Sequence, residues 1–198
     1  MATTLLVARH GETDWNLERR WQGHAESDLT ANGRAQARAL GERLSERGIV
    51  AIYSSDLRRA RDTAGIVAGG LGLPVRVEQA LREVDVGEWS GLTTDEIEAR
   101  YPEGAARRRI GGTGWEHGES IEAMSARIAA ALTAIAAAHE GETVLVVTHG
   151  GPIREVRRTA GVTTEGWHHV ANCEVDELEV QEGRIRWFGR LAATPSTA

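Results

Sequence analysis

Two short apolar runs in this chain stop in the same way. Thr4 to Ala8 gives out into Arg9-His10-Gly11, and "TVLVVT" gives out into His149-Gly150-Gly151. A run that is apolar at every position, without alternation, describes a strand covered on both faces. Strands of that kind need helices on either side, and helical segments lie between them here. The fold class this predicts is α/β, a three-layer sandwich with a mainly parallel sheet flanked by helices. Ligands of such sheets collect at the carboxyl ends of the strands. A histidine and a glycine at the ends of two buried strands therefore point to chemistry.

The remaining segments fill out the same frame. Trp15 to Leu29 has no clear period and reads as a loop. Thr30 caps a helix running to about Arg47, and Gly48 ends it. "IVAIYSS" is a strand, Asp56 caps the helix "LRRARDTAGIVAGGL", and "PVRVEQ" is a short strand. Thr93 and Glu96 form a capping box for a short helix reaching Tyr101. Pro102 to Glu119, rich in Gly and Arg, reads as a long loop. Ser120 caps an alanine-rich helix to about His139. Gly151-Pro152 opens the next helix, with proline at its first position. "CEVDELEV" and "RIRWFGRL" alternate around "QEG" as a C-terminal antiparallel hairpin. Nothing in composition splits the chain, so residues 1–198 are expected to form one domain, with 192–198 as a disordered tail.

Composition removes several function classes. The net charge of −6 gives no basic field for nucleic acid. All 23 basic residues are arginine, which excludes a Walker A loop and Schiff-base chemistry. The one cysteine, Cys173, excludes an internal disulfide and reads as a small packing side chain. No apolar run is long enough to cross a membrane, and no leader pattern precedes the first strand. The expected location is cytoplasmic. Histidine spacing fits no zinc motif, and adjacent His168 and His169 would point apart in a regular element. Metal-independent activity without a cofactor is the expectation.

What remains suits phosphate. Imidazole can accept a phosphoryl group and so divide one transfer into two easier ones. Guanidinium binds phosphate through paired N–H groups. Arg9-His10 ends one strand, His149 ends another, and Arg58 lies in the first turn of the helix after the second. Gly11 and Gly150 allow close backbone approach, and the helix after His149 turns free N–H groups toward the same space.

The chain resembles the histidine phosphatase superfamily, in the branch named for cofactor-dependent phosphoglycerate mutase. "RHGETDWN" (9–16), "SSDLRRARDTA" (54–64), "LREVDVGEWSG" (81–91) and "VTHGGPIR" (147–154) match its motifs in order. The "QGHAESDLTANG" segment (22–33) is similar to the family's second loop. The resemblance implies that His10 is the phosphorylated nucleophile and that Arg9, Arg58 and His149 grip the phosphoryl group. It implies that Glu83 is the proton donor to the leaving oxygen; the residues alone leave Glu83, Asp85 and Glu88 open. Asn16, Gln22, Gly23 and Gly150 complete the implied phosphate shell.

The resembling mutases carry an arginine just after the acid glutamate, a tyrosine soon after, and a long insertion before the helix that begins here near Ser120. Val84 and Val86 stand at the first two positions, and this chain is shorter at the third. The expected reaction is therefore hydrolysis of a small phosphate ester, in a monomer or homodimer. Mutase-type transfer and a noncatalytic phospho-ligand module are the alternatives. The segment 102–119 is the expected substrate lid, with Arg107, Arg108 and Arg109 set to meet a second anionic group. Trp15, Trp21 and Trp115 are weighed as pocket lining or packing, with packing favoured.

Overall fold

The sheet is built from the two runs that end in histidine. In the computed structural model, which describes residues 1–162 and 170–191, Thr3–Arg9 (β1) lies parallel to Thr143–Thr148 (β4), with Ala8 opposite Val147 and Arg9 opposite Thr148. That register sets His10 and His149 side by side at the carboxyl ends of these two strands. Ile49–Ser54 (β2) runs parallel to β4 and Val75–Val77 (β3) parallel to β2. On the other side of β1, Val175–Gln181 (β5) and Arg184–Arg190 (β6) are antiparallel, giving the order β3-β2-β4-β1-β5-β6. Glu182 and Gly183 turn the β5–β6 hairpin, both at positive φ (51° and 74°).

Successive β1 residues serve opposite faces, as the pleat requires. Leu5 and Val7 enter one apolar cluster with Val144, Val146, Trp89 and Ile128. Leu6 and Ala8 enter the other with Leu145, Val147, Leu40 and Ala64. Each fully buried aliphatic side chain contributes about 1.5–3 kcal/mol, so both faces need cover. Ala31–Leu44 (α2) and Arg58–Leu71 (α3) cover one. Ile121–Ala137 (α6) and Gly150–Thr159 (α7) cover the other. Asp14–Leu17 (α1), Thr94–Arg100 (α4) and Pro102–Arg109 (α5) lie in the connections.

Four local expectations are corrected. Pro102 to Glu119 is not all loop: Pro102 opens α5, where a missing N–H costs nothing. Asp56 does not cap α3. Its carboxylate pairs with Arg82 (2.6–2.7 Å), and Glu26 Oε2 accepts the Arg58 N–H (2.8 Å) at that helix start. α7 begins at Gly150, with extended His149 as its N-cap, so Pro152 is third in the helix rather than first. The loop from Trp15 contains α1, whose capping box joins Thr13 and Asn16. Residues 192–198 and the His168-His169 pair lie outside the described residues.

Candidate active site

Both strand-end imidazoles are buried, and their ring centroids are 5.3 Å apart. His10 Nδ1 lies 2.7 Å from the Gly11 carbonyl oxygen. A carbonyl only accepts, so Nδ1 carries the proton and Nε2 keeps its lone pair. Further bonds fix this turn. Thr63 Oγ1 accepts the Gly11 N–H (2.9 Å), and Asn172 Nδ2 donates to the His10 carbonyl (3.1 Å). A Cβ on Gly11 would press on the Gly33 backbone, so the glycine is required by close packing.

His149 Nε2 meets Ser55 Oγ at 2.9 Å, while its Nδ1 has no hydrogen-bond partner among the described residues. If Ser55 donates, His149 Nδ1–H is left as a buried donor. Both imidazoles are held well below the ordinary histidine range. For each the first cause is burial; Arg9 and Arg59 add repulsion.

Two guanidiniums flank His10. Arg9 Nη1 donates to the Val170 carbonyl (2.6 Å). Arg59 donates to the carbonyls of Ala25 (2.7 Å) and Gly23 (2.8 Å). Both Nε groups are buried without a partner among the described residues. Burial pushes both arginines down to about 10, against the opposing pull of Glu83. Each remains charged at neutral pH.

The structure corrects one arginine. Arg58, the expected phosphate ligand, has a 53% exposed side chain and pairs with Asp28 (2.8 Å) on the surface. Its neighbour Arg59 is 1% exposed and lines the cleft. Adjacent helix residues point about 100° apart, so only one of the two can face β1. The helix phase that buries Ala60, Thr63 and Ala64 selects Arg59.

A cleft of about 730 Å³ opens over Arg9, His10 and Arg59; His149, fully buried behind them, is not among the residues that line it. Glu83 lines it, its Oε2 accepting the Gly151 N–H (3.0 Å) and its Oε1 the Val84 N–H (2.9 Å). A Cβ on Gly151 would collide with Oε1, so this glycine admits the carboxylate. Asp85 and Glu88 are used elsewhere. Asp85 Oδ1 accepts from Gly87, and Glu88 accepts the Glu116 and His117 N–H groups.

Asn16 lines the cleft, its Oδ1 held by Thr13 N–H and Asn172. Gln22 also lines it, but its amide is committed at both ends: Nε2 donates to Thr13 Oγ1 and Oε1 accepts from Ser27. Gly23, at φ 52°, passes beneath Val86 and offers its carbonyl to Arg59. Gly150 lies at the start of α7. The cleft also takes in Trp21, Trp115, Val84 and Val86, whereas Trp15 packs beside Gly91.

Of the three consecutive arginines, Arg108 alone lines this cleft. Arg107 donates to the Gly114 carbonyl and Arg109 pairs with Glu98. Sequence reasoning passed over Ser55, Thr63, Asn172, Arg59 and Arg154. All five lie beside the residues it named, and the phase of α3 is the signal that would have found Arg59.

Cys173 is buried, and burial pushes its thiol up to about 12. Among the described residues no His, Cys, Asp or Glu cluster is arranged to hold a metal ion, and no helix is long and apolar enough to cross a membrane.

Comparison with known proteins places this geometry in context. The family model of the histidine phosphatase superfamily (branch 1) matches residues 5–189. Phosphoglycerate mutase-like protein 4 of Arabidopsis thaliana is 38% identical over 184 residues, covering 90% of this chain and 80% of that protein. The structure of YhfR from Bacillus stearothermophilus superposes with a TM-score of 0.85 at 36% identity, covering 94% of this chain and 95% of that one. A mycobacterial glucosyl-3-phosphoglycerate phosphatase superposes at 0.82 with 33% identity, covering 94% and 96%.

Proposed function

The chain belongs to the histidine phosphatase superfamily, branch 1, and from that premise we propose that it is a phosphomonoester hydrolase working through a phosphohistidine. The observation that carries this reading is the placement of His10. Its Nδ1–H donates to the Gly11 carbonyl, its Nε2 makes no hydrogen bond with a described residue, and two buried guanidiniums and the Glu83 carboxyl group share its cleft.

The ester phosphate enters between Arg9 and Arg59, whose free Nε–H groups and fixed positions suit a charge-dense group in transit. The Gly150 N–H, at the start of α7, adds a donor, and with Ser55 donating to Nε2 the His149 Nδ1–H adds another. Asn16 offers its amide N–H, and the bound Gln22 and Gly23 hold the loop that carries Arg59's carbonyl partners. His10 Nε2 attacks phosphorus as the phosphorus–oxygen ester bond breaks, and Glu83 gives its proton to the departing alkoxide. Water then attacks the phosphohistidine, Glu83 takes a proton from it, and inorganic phosphate leaves with His10 restored.

Water is favoured as acceptor over a second substrate hydroxyl by the wall beside Glu83. Val84 and Val86 supply no charge there to retain and reorient a phosphorylated intermediate. The substrate on this reading is a small phosphate ester in the cytoplasm.

The test is phosphate release from a panel of metabolite phosphate esters in chelator, comparing wild type with His10→Ala. Release that disappears in the variant supports the reading. A folded wild type that releases nothing, yet isomerises a phosphoglycerate, overturns it in favour of transfer.

A further inference from the structure

A turn at residues 171–174, just before β5, is fastened to the strand end that carries the nucleophile. The Glu174 N–H closes this turn onto the Ala171 carbonyl (3.1 Å). Main-chain bonds tie it to β1: the Arg9 N–H donates to the Glu174 carbonyl (3.0 Å), and the Cys173 N–H to the Arg9 carbonyl (3.1 Å). Cys173 holds φ 56°, a left-handed conformation that costs energy for a residue with a Cβ. Asn172 stands at the corner of the turn, beside His10 and Asn16.

The Asn172 amide nitrogen makes two bonds of 3.1 Å, one to the His10 carbonyl and one to Asn16 Oδ1. Both partners only accept, so each bond takes one of its two N–H groups. The Thr13 N–H donates to the same Asn16 oxygen (3.2 Å). With its oxygen held twice, Asn16 has one amide atom left, Nδ2, which makes no hydrogen bond with a described residue. Asn16 lines the cleft that holds His10.

We propose that Asn172 is a positioning residue for the phosphate site: by binding the Asn16 oxygen it keeps the Asn16 N–H groups presented to the anion. Its second bond ties that donor to the His10 turn. This rests on the reading that His10 and Asn16 meet the ester phosphate.

Three observations support it. A flipped Asn16 amide would set its NH₂ against two donors, the Thr13 N–H and Asn172 Nδ2, so Asn172 opposes the wrong orientation directly. Next, α1, which carries Asn16, has four residues and buries none of them. A helix that short does not hold itself, and its asparagine needs an outside anchor. Finally, Asn172 is on a firm base. Arg43 Nη2 donates to the Cys173 carbonyl (2.9 Å), Cys173 is buried, and the Glu174 carboxylate accepts the Ala171 N–H (3.0 Å) and pairs with Arg157.

The experiment is a double-mutant cycle between Asn172→Leu, which fills a similar volume without the N–H groups, and Asn16→Ala. It reads kcat/KM for p-nitrophenyl phosphate and inhibition by orthovanadate, a mimic of phosphorus in transfer. Asn172→Leu alone should weaken both about tenfold, as expected for losing a charge-assisted bond. Made on Asn16→Ala, the same change should cost less than about threefold, because the donor it orients is already gone. Asn172→Ala runs the cycle if the leucine variant does not fold.

Equal losses in the two backgrounds overturn the role, and so does a lowered thermal midpoint with orthovanadate inhibition unchanged. If wild type hydrolyses no ester, p-nitrophenyl phosphate included, the hydrolase reading fails. The role is then judged by binding of inorganic phosphate. Affinity lowered by Asn172→Leu in wild type but not on Asn16→Ala supports it; affinity unchanged in wild type, or no binding at all, overturns it.

Discussion

The floor of the cleft and its cover are built on opposite principles. The floor is made where β1, β4 and the starts of α3 and α7 meet. His10, Arg59 and His149 are buried there, and backbone carbonyls, Thr63 and Ser55 fix their positions. The cover is α5 and the glycine-rich segment after it, which bring Arg108, Gly111 and Trp115 to the cleft, pack on Trp89, and are pinned by Arg107 to Gly114 and Arg109 to Glu98 on α4. The proposed mechanism asks the floor to meet a developing charge, and the sheet holds its groups where reorganisation is costly.

The largest test of this contrast is Glu83→Gln, which keeps the side chain's shape while giving up one of the two backbone N–H bonds that Glu83 accepts. It should cut hydrolysis of alkyl phosphates about 10²–10⁴-fold, and that of p-nitrophenyl phosphate, whose leaving group needs little protonation, far less. Equal losses would remove the acid role.

Arg59→Gln against Arg58→Gln comes next. The first should cost about 10²–10³ in kcat, while the second should stay near wild type because Arg58 faces Asp28 at the surface. Equal effects would mean that the phase of α3 does not matter.

Acid should then weaken the floor selectively. The folded values of His10 and His149 lie below the unfolded value of about 6.5. Between those values the unfolded chain binds protons that the folded chain does not, so the stability they confer is full above about pH 6.5 and declines as pH falls below it. Thermal midpoints should drop on acidification through that window, and less steeply in His149→Gln.

The smallest effect on chemistry belongs to the cover. Gly114→Ala would push a methyl into the Trp89 ring and should cost about 1–3 kcal/mol of stability by denaturant melt. The p-nitrophenyl phosphate rate, measured where the protein is folded, should change little. A large loss of rate would show that the cover also shapes the floor.

The doubly buried strands, the capping residues Thr30, Thr93 and Ser120, and the terminal hairpin were legible because each rests on a local pattern. α5 was not, because Gly, Arg and Pro in "PEGAARRR" carry no apolar period. That helix is held by contacts that its own sequence does not announce: Gly104 against Trp89 and the Gly114 backbone, and Ala105 in the core. Asp56 misled for a related reason. It has the chemistry of a cap, and Arg82, distant in sequence, took it first.

The sequence by itself determined the buried strands, the two histidines at their carboxyl ends and the glycines beside them. Burial on both faces and the turn after a strand are properties of neighbouring residues. Only the tertiary structure decided which of two adjacent arginines enters the cleft, which of three carboxylates meets α7, and that Asn172 reaches Asn16. Those choices depend on the angle at which each element packs on the sheet, and that angle is fixed by the whole core rather than by any one segment.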